Sequence, residues 1–263
     1  GSSNAITGVG FQTDWLWIKR RNGATSHRLI DSSRGVDKYL SSDTANAEDD
    51  ATGIFTSFDS DGFTVEGTAN STNGSSQTYV AWNWKANGGT TTTNDASSSG
   101  VGSLDSVIQA NQTAGFSIVL YTIPGTDIYT IAHGLSQAPD LIIHKGRDQT
   151  SAWWTVFTLL DGSVDYVNLG STAAKANDTA SLSAPTSTVF SQVENYTLQQ
   201  AVVSYCFHSV DGYSKFGTYE GNGNADGSFI YTGFKTAFVM VKNIDAAKHW
   251  MMFDTERQYN GQG

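Results

Sequence analysis

Short apolar runs, broken at close intervals by polar turns, extend through the whole chain. Trp15-Leu-Trp-Ile18, Tyr79-Val-Ala-Trp82, Phe116-Ser-Ile-Val-Leu-Tyr121, Leu141-Ile-Ile143, Val202-Val-Ser-Tyr205 and Phe238-Val-Met-Val241 are rich in the aromatic and β-branched residues that strands favour. Asp61-Gly62, Asn73-Gly74, Asp161-Gly162 and Asp226-Gly227 supply turns between such runs. Only 44–50 and 171–176 could hold a helical turn or two. The pattern predicts an all-β chain of tandem β-sandwich or jelly-roll-like units with short polar turns. A β-helix fits less well, because its rungs would repeat at a much shorter period.

Alternation sets the faces of the aromatic strands. Trp15 and Trp17 share one face of their strand, and Trp82 and Trp84 share one face of theirs. Core packing between two sheets explains these rings, with an exposed platform for sugars as the alternative. Trp153 and Trp154 are adjacent and point to opposite sides, so at least one should be partly exposed. They are the candidate glycan-stacking residues.

The apolar runs also recur in register. Phe11-Gln-Thr-Asp-Trp-Leu-Trp-Ile-Lys19, Ala138-Pro-Asp-Leu-Ile-Ile-His-Lys145 and Phe234-Lys-Thr-Ala-Phe-Val-Met-Val-Lys242 each close an apolar strand with a lysine. Twelve residues after the first lysine comes Asp31-Ser-Ser-Arg34, and twelve after the third comes Asp254-Thr-Glu-Arg257. Further pairs follow in order. Tyr39-Leu-Ser-Ser42 answers to Asn168-Leu-Gly-Ser171, and Ile54-Phe-Thr56 to Val189-Phe-Ser191. Val80-Ala-Trp-Asn-Trp84 answers to Val203-Ser-Tyr-Cys-Phe207, and 115–121 to 212–219. The register predicts unit one over 1–87, a Thr/Ser/Gly-rich linker over 88–104, unit two over 105–210 and the first part of unit three over 211–263. The chain is expected to open and stop inside a unit and to belong to a longer polypeptide.

Composition agrees with strands and turns. Charged residues make up 15% and hydrophobic ones 38%, with 27 glycines against 3 prolines. The net charge of −10 makes nucleic acid a poor partner, since phosphate binding needs a basic stripe. No run approaches the roughly 20 apolar residues of a membrane span, so no membrane insertion is expected. The single cysteine, Cys206, allows no internal disulfide and reads as a small core residue.

Several motifs together carry a family resemblance. They are Gly-Phe-x-x-Asp-x-x-x-x-Lys at 10–19, Asp-Ser-x-Arg-Gly at 31–35, Tyr-Leu-Ser-Ser at 39–42, Ser-Phe-Asp-Ser-Asp-Gly-Phe at 57–63 and Tyr-Val-Ala-Trp-x-Trp-Lys at 79–85. Gly-Tyr-Ser-Lys-Phe-Gly-x-Tyr-x-Gly-Asn-Gly at 212–223 continues the series. The chain resembles an uncharacterised repeat domain of tail-fibre and other virion proteins of marine phages, cyanophages among them. The resemblance implies a virion or extracellular location and carries no activity to any residue. Unit two departs from the pattern, with Leu159-Leu-Asp-Gly-Ser163 and Gln192-Val-Glu-Asn-Tyr196 at the two motif positions.

Candidate chemistry is sparse. Asn222, Asn224 and Asp226, followed by Gly227, have the oxygen spacing that opens a calcium loop, but Gly233 stands where its bidentate glutamate belongs. A hairpin turn with Asp226-Gly227 at its tip explains the segment equally. Asp59 and Asp61 flank one turn and form a second candidate metal pair. No cofactor is expected; calcium, or magnesium at the Asp59/Asp61 turn, is the alternative to plain solvated turn acids. Asp31 with Arg34, echoed by Asp254 with Arg257, reads as a fixed ion pair. The five histidines show no zinc spacing and no Ser-His-Asp arrangement.

The expectation is a non-enzymatic virion structural or adhesion module, a tail fibre or surface decoration. Its partners would be other virion subunits, in a homo-oligomer such as a trimer, and host surface polysaccharide. The alternatives are a carbohydrate-binding module of a secreted or cell-surface protein and, further off, a polysaccharide-degrading enzyme, which would need two carboxylates.

Overall fold

A computed structural model describes residues 3–177, 182–192 and 199–257. The first part of the chain carries β1 (Asn4–Thr7), β2 (Trp15–Arg20), β3 (Arg28–Asp31), β4 (Lys38–Tyr39), β5 (Asp49–Asp50), β6 (Phe55–Asp59), β7 (Gly62–Val65) and β8 (Tyr79–Trp84). The middle carries β9 (Thr92–Asn94), α1 (Ala96–Ser99), β10 (Ser106–Asn111), β11 (Phe116–Ile123), β12 (Tyr129–Ala132), β13 (Leu141–Gly146), β14 (Trp153–Phe157), β15 (Asp165–Asn168), β16 (Ala176–Asn177), β17 (Val189–Gln192) and β18 (Gln200–Phe207). A last hairpin joins β19 (Phe238–Val241) to β20 (Met251–Asp254). The chain is all-β.

The largest sheet has eight strands in the order β16-β15-β14-β13-β18-β11-β10-β9. Two three-stranded sheets, β3-β2-β8 and β1-β7-β6, lie in the first part, and β12 pairs with β17 over the middle. Every paired strand is antiparallel, so hairpins and alternation set the layers.

Alternation along β2 divides the core. Trp15 and Trp17 enter a shared cluster with Trp82, Phe116, Ile118, Tyr205 and Phe207, to which Phe238, Met240 and Met252 of the last hairpin also contribute. Leu16 and Ile18 turn the other way, into a cluster with Ile30, Phe55, Phe63 and Val65. The middle of the chain has its own second cluster, where Ile142, Val202 and Cys206 meet Ile131 and Phe190. The four tryptophans of β2 and β8 therefore pack between sheets, and Trp15 stacks on Tyr205 at 4.2 Å between ring centroids.

Four expectations need correction. Residues 44–50 and 171–176 are turns and short strands, and the single helical turn among the described residues is α1, capped by the Asp95 side chain. The Thr/Ser/Gly-rich segment 88–104 is not an extended spacer. Its threonines form β9 against β10, and the Gly88 and Gly89 amides donate to buried Asp14. Phe190 corresponds to Phe63 and not to Phe55. Each sits in a second-layer strand opposite an isoleucine of a strand that precedes a lysine-closed strand, Ile6↔Phe63 and Ile131↔Phe190. The Phe55 match arose because β6 and β7 form one hairpin with two similar apolar strands. Finally, Phe157 takes the place held by Asp31 and Asp254, since Leu141↔Phe157 matches Trp15↔Asp31 and Phe238↔Asp254 in register. The Gln192–Tyr196 departure lies mostly outside the described residues.

Candidate functional site

The three lysines that close the recurring strands make one contact in common. Lys19 Nζ donates to the Thr25 carbonyl at 2.6 Å, Lys145 Nζ to the Ser151 carbonyl at 3.1 Å and Lys242 Nζ to the Lys248 carbonyl at 2.7 Å. Each pair is six residues apart, so each ammonium closes the loop of its own hairpin. Two of the lysines also reach another loop. Lys145 donates to Ala45 O at 3.2 Å and Lys242 to Thr172 O at 3.1 Å. An indole beside each adds a second bond, from Trp153 to Ser41 O and from Trp250 to Asn168 O. The loop after β4 thus docks on the second hairpin, and the loop after β15 docks on the third.

The Asp–Arg motifs make the reverse contacts. Arg34 Nε meets Asp31 Oδ2 at 2.5 Å, and the Tyr205 hydroxyl donates to the same oxygen at 2.7 Å. Arg34 also bonds Glu48 at 3.0 Å, and Glu48 reaches Arg147 at 2.9 Å. Burial penalises the Arg34 charge, but Asp31 and Glu48 outweigh that and hold its pKa above the ordinary value. Burial also pushes the Glu48 carboxyl upward, yet the two arginines win and lower it. In the third hairpin Arg257 meets Asp254 Oδ2 at 2.5 Å, and Trp82 Nε1 donates to that oxygen at 3.1 Å. Tyr205 and Trp82 stand at matching positions of β18 and β8, so one device recurs with a phenol in one copy and an indole in the other.

Beside these contacts lies a shallow cleft of about 220 Å³ lined by Trp17, His27, Asp43, Met240, His249 and Trp250, among others. It is smaller than a typical small-molecule pocket. Burial drives the His27 pKa down to about 4 against the pull of Asp43, and Trp17 Nε1 donates to His27 Nδ1 at 2.7 Å. The imidazole is therefore a neutral acceptor, held in place by the indole.

The residues singled out from sequence fall elsewhere. Asp59 accepts hydrogen bonds from Ser57 and Thr64, while Asp61 accepts from the Gly8 and Gly10 amides at 3.0 and 2.6 Å. Those two amides lower the Asp61 pKa. Asp61 thus ties the strand lead-in to the β6–β7 turn. Gly62 permits this approach, since a Cβ there would stand 2.0 Å from the Ile6 carbonyl oxygen. Asn222 caps its own turn by accepting from the Asn224 amide, and Asp226 lies exposed. Among the described residues no three His, Cys, Asp or Glu side chains gather as metal ligands. Trp153 is only 1% exposed and cannot stack on a sugar, because its indole is docked on the loop after β4. Trp154 is half-buried in an edge-on pair with Tyr166, 4.8 Å between centroids.

Sequence reasoning missed one polar cluster. Ser204 Oγ lies 2.7 Å from His144 Nδ1 and 2.9 Å from the Tyr121 hydroxyl, on neighbouring strands of the large sheet. Burial lowers the His144 pKa to about 3. The three side chains are sealed under Phe190, so the hydroxyl has no path to a substrate. No sequence spacing could have signalled it, since strand pairing alone brings residues 121, 144 and 204 together.

A family model described as a domain of unknown function, DUF7483, matches residues 1–262. The chain belongs to that family. No curated protein and no solved structure matches it. In this DUF7483 chain the recurring charged groups bind neighbouring segments, and no helix among the described residues is long and apolar enough to cross a membrane.

Proposed function

We propose that the chain is a non-enzymatic structural and adhesion module of a virion, a stretch of tail fibre or surface decoration built from tandem sandwich-like units. The observation that carries this reading is the use made of the recurring polar groups. All three closing lysines tie down the loops of their own hairpins, two of them also bond a neighbouring loop, and both Asp–Arg pairs accept a bond from a neighbouring strand, as a load-resisting module requires. An active site would hold such groups open towards a cleft. The phage-repeat resemblance supplies the virion context, and other virion subunits in a homo-oligomer are the partners it implies.

Host surface polysaccharide is the second expected partner. The partly exposed Trp154–Tyr166 pair is the aromatic surface that suits a sugar ring, in place of the buried Trp153. The test is incubation of the whole chain with bacterial surface polysaccharides, measuring retention and released reducing ends together. The reading expects retention that Trp154→Ala weakens at least about tenfold, a loss of roughly 1.4 kcal/mol, and no released ends. Release of reducing ends would overturn it.

A further inference from the structure

We propose that the three units of this chain close on one another as a ring with approximate threefold repetition, so that one copy fills a place three identical subunits would otherwise fill. The ring rests on the repeat register above and is independent of where the chain sits in a particle. Two kinds of contact between units recur in it.

An aromatic strand makes the first kind. β18 of the second unit lies against the first hairpin, where the Tyr205 hydroxyl donates to Asp31 at 2.7 Å and accepts from Arg34 at 3.3 Å. Trp15 stands 4.2 Å from Tyr205 and 5.9 Å from Phe207 between ring centroids. β8 of the first unit repeats this set on the third hairpin. Trp82 Nε1 donates to Asp254 at 3.1 Å, and the Arg257 guanidinium lies 5.0 Å over the Trp82 ring. Phe238 stands 5.9 Å from Trp82 and 5.8 Å from Trp84. Phe238 holds the register position of Trp15, since it faces Asp254 as Trp15 faces Asp31. One contact is therefore made twice, from unit two to unit one and from unit one to unit three.

A loop makes the second kind. The loop after β4, in unit one, bonds Lys145 and Trp153 of the second hairpin, and the Ser151 amide donates to the Ala45 carbonyl at 2.9 Å. The loop after β15, in unit two, bonds Lys242 and Trp250 of the third hairpin, and the Lys175 amide donates to the Ile244 carbonyl at 2.8 Å. Unit three thus meets unit one through Asp254 and unit two through Lys242. An open row of three members leaves its two ends apart, whereas here all three pairs touch. Repeated contacts of one kind whose rotation closes generate a ring. Trp15, Phe207 and Phe238, one from each unit, meet in the shared cluster where the units converge. A homo-oligomer of the chain then joins whole rings, through surfaces outside these contacts.

Hydrogen exchange on the whole chain, diluted until light scattering gives the mass of one chain, tests the closure with two variants. Trp82→Phe removes the bond from unit one to the third hairpin, and Trp250→Phe removes a bond from the third hairpin to unit two. Both keep an aromatic side chain in place. Each should speed exchange of 238–241 and 251–254 about fivefold or more, and Trp250→Phe should also speed 165–168 on the far side of its contact. If either variant leaves those amides unchanged, the third hairpin is held from one side at most and the proposal falls. Loss of protection at 238–241 when the unaltered chain is diluted would place these contacts between copies and overturn it as well. The virion reading has its own test, so the two fail separately.

Discussion

At the residue scale, the buried polar groups define how the chain resists acid. His27 and His133 are held neutral by burial, with pKa values pushed down to about 4, and His144 to about 3. In the unfolded chain each would titrate near 6.5. Between these values only the unfolded state takes up protons, so stability is whole above about pH 6.5 and falls as the pH drops toward 4. The lowered Glu48 carboxyl adds to the loss below its ordinary range. Denaturant titrations should give an unfolding free energy that declines through this window, with a shallower slope in His144→Gln. A flat profile would contradict the burial of these rings. The Asp31–Arg34 pair was legible from its repeated spacing, but its partner Tyr205 was not, because only the fold brings residue 205 to residue 31. Arg34→Met should cost about 3–5 kcal/mol, since it leaves Asp31 and Glu48 facing each other without their cation. Chemical denaturation of the single variant reads this directly.

At the scale of elements, the lysine-closed hairpins set a graded expectation. Lys145 is fully buried and bonds Ser151 and the Ala45 carbonyl, whereas Lys19 bonds the Thr25 carbonyl within its own loop. Lys145→Met should therefore lose about 2–4 kcal/mol and Lys19→Met about 1 kcal/mol or less. Equal losses in thermal denaturation would refute the idea that the second lysine also pins the loop after β4. The strands around these lysines were readable from apolar alternation. Trp153 was misread as a possible sugar platform, although it shares with Trp250 the same offset from its lysine. That offset was a usable signal, since a repeated indole at a repeated place points to a repeated contact. The strand in 88–104 was hidden because Thr and Gly serve coil and edge strand alike.

For the whole molecule, the shared cluster joins the three parts of the chain. Trp15 touches Phe116, Tyr205 and Phe207 from the large sheet, and Trp82 and Trp84 touch Phe238 from the last hairpin. Calorimetry should show one cooperative transition, and Trp15→Ala should lower it as a whole, by about 3–5 kcal/mol. Two separable transitions would mean that the units fold alone. Composition and pattern were enough to expect an all-β chain. They could not show that one face of each part meets the others in a shared cluster, because that depends on which sheet faces which.

The central claim is that the chain is a building element of a particle and does its work by position. Gold-labelled antibodies against the exposed 213–231 segment, applied to intact native particles and imaged by electron microscopy, test it most directly. The account predicts labels at regular sites on fibres or the particle surface. Label absent from every particle, with the chain recovered as a free protein that releases reducing ends from polysaccharide, would contradict it.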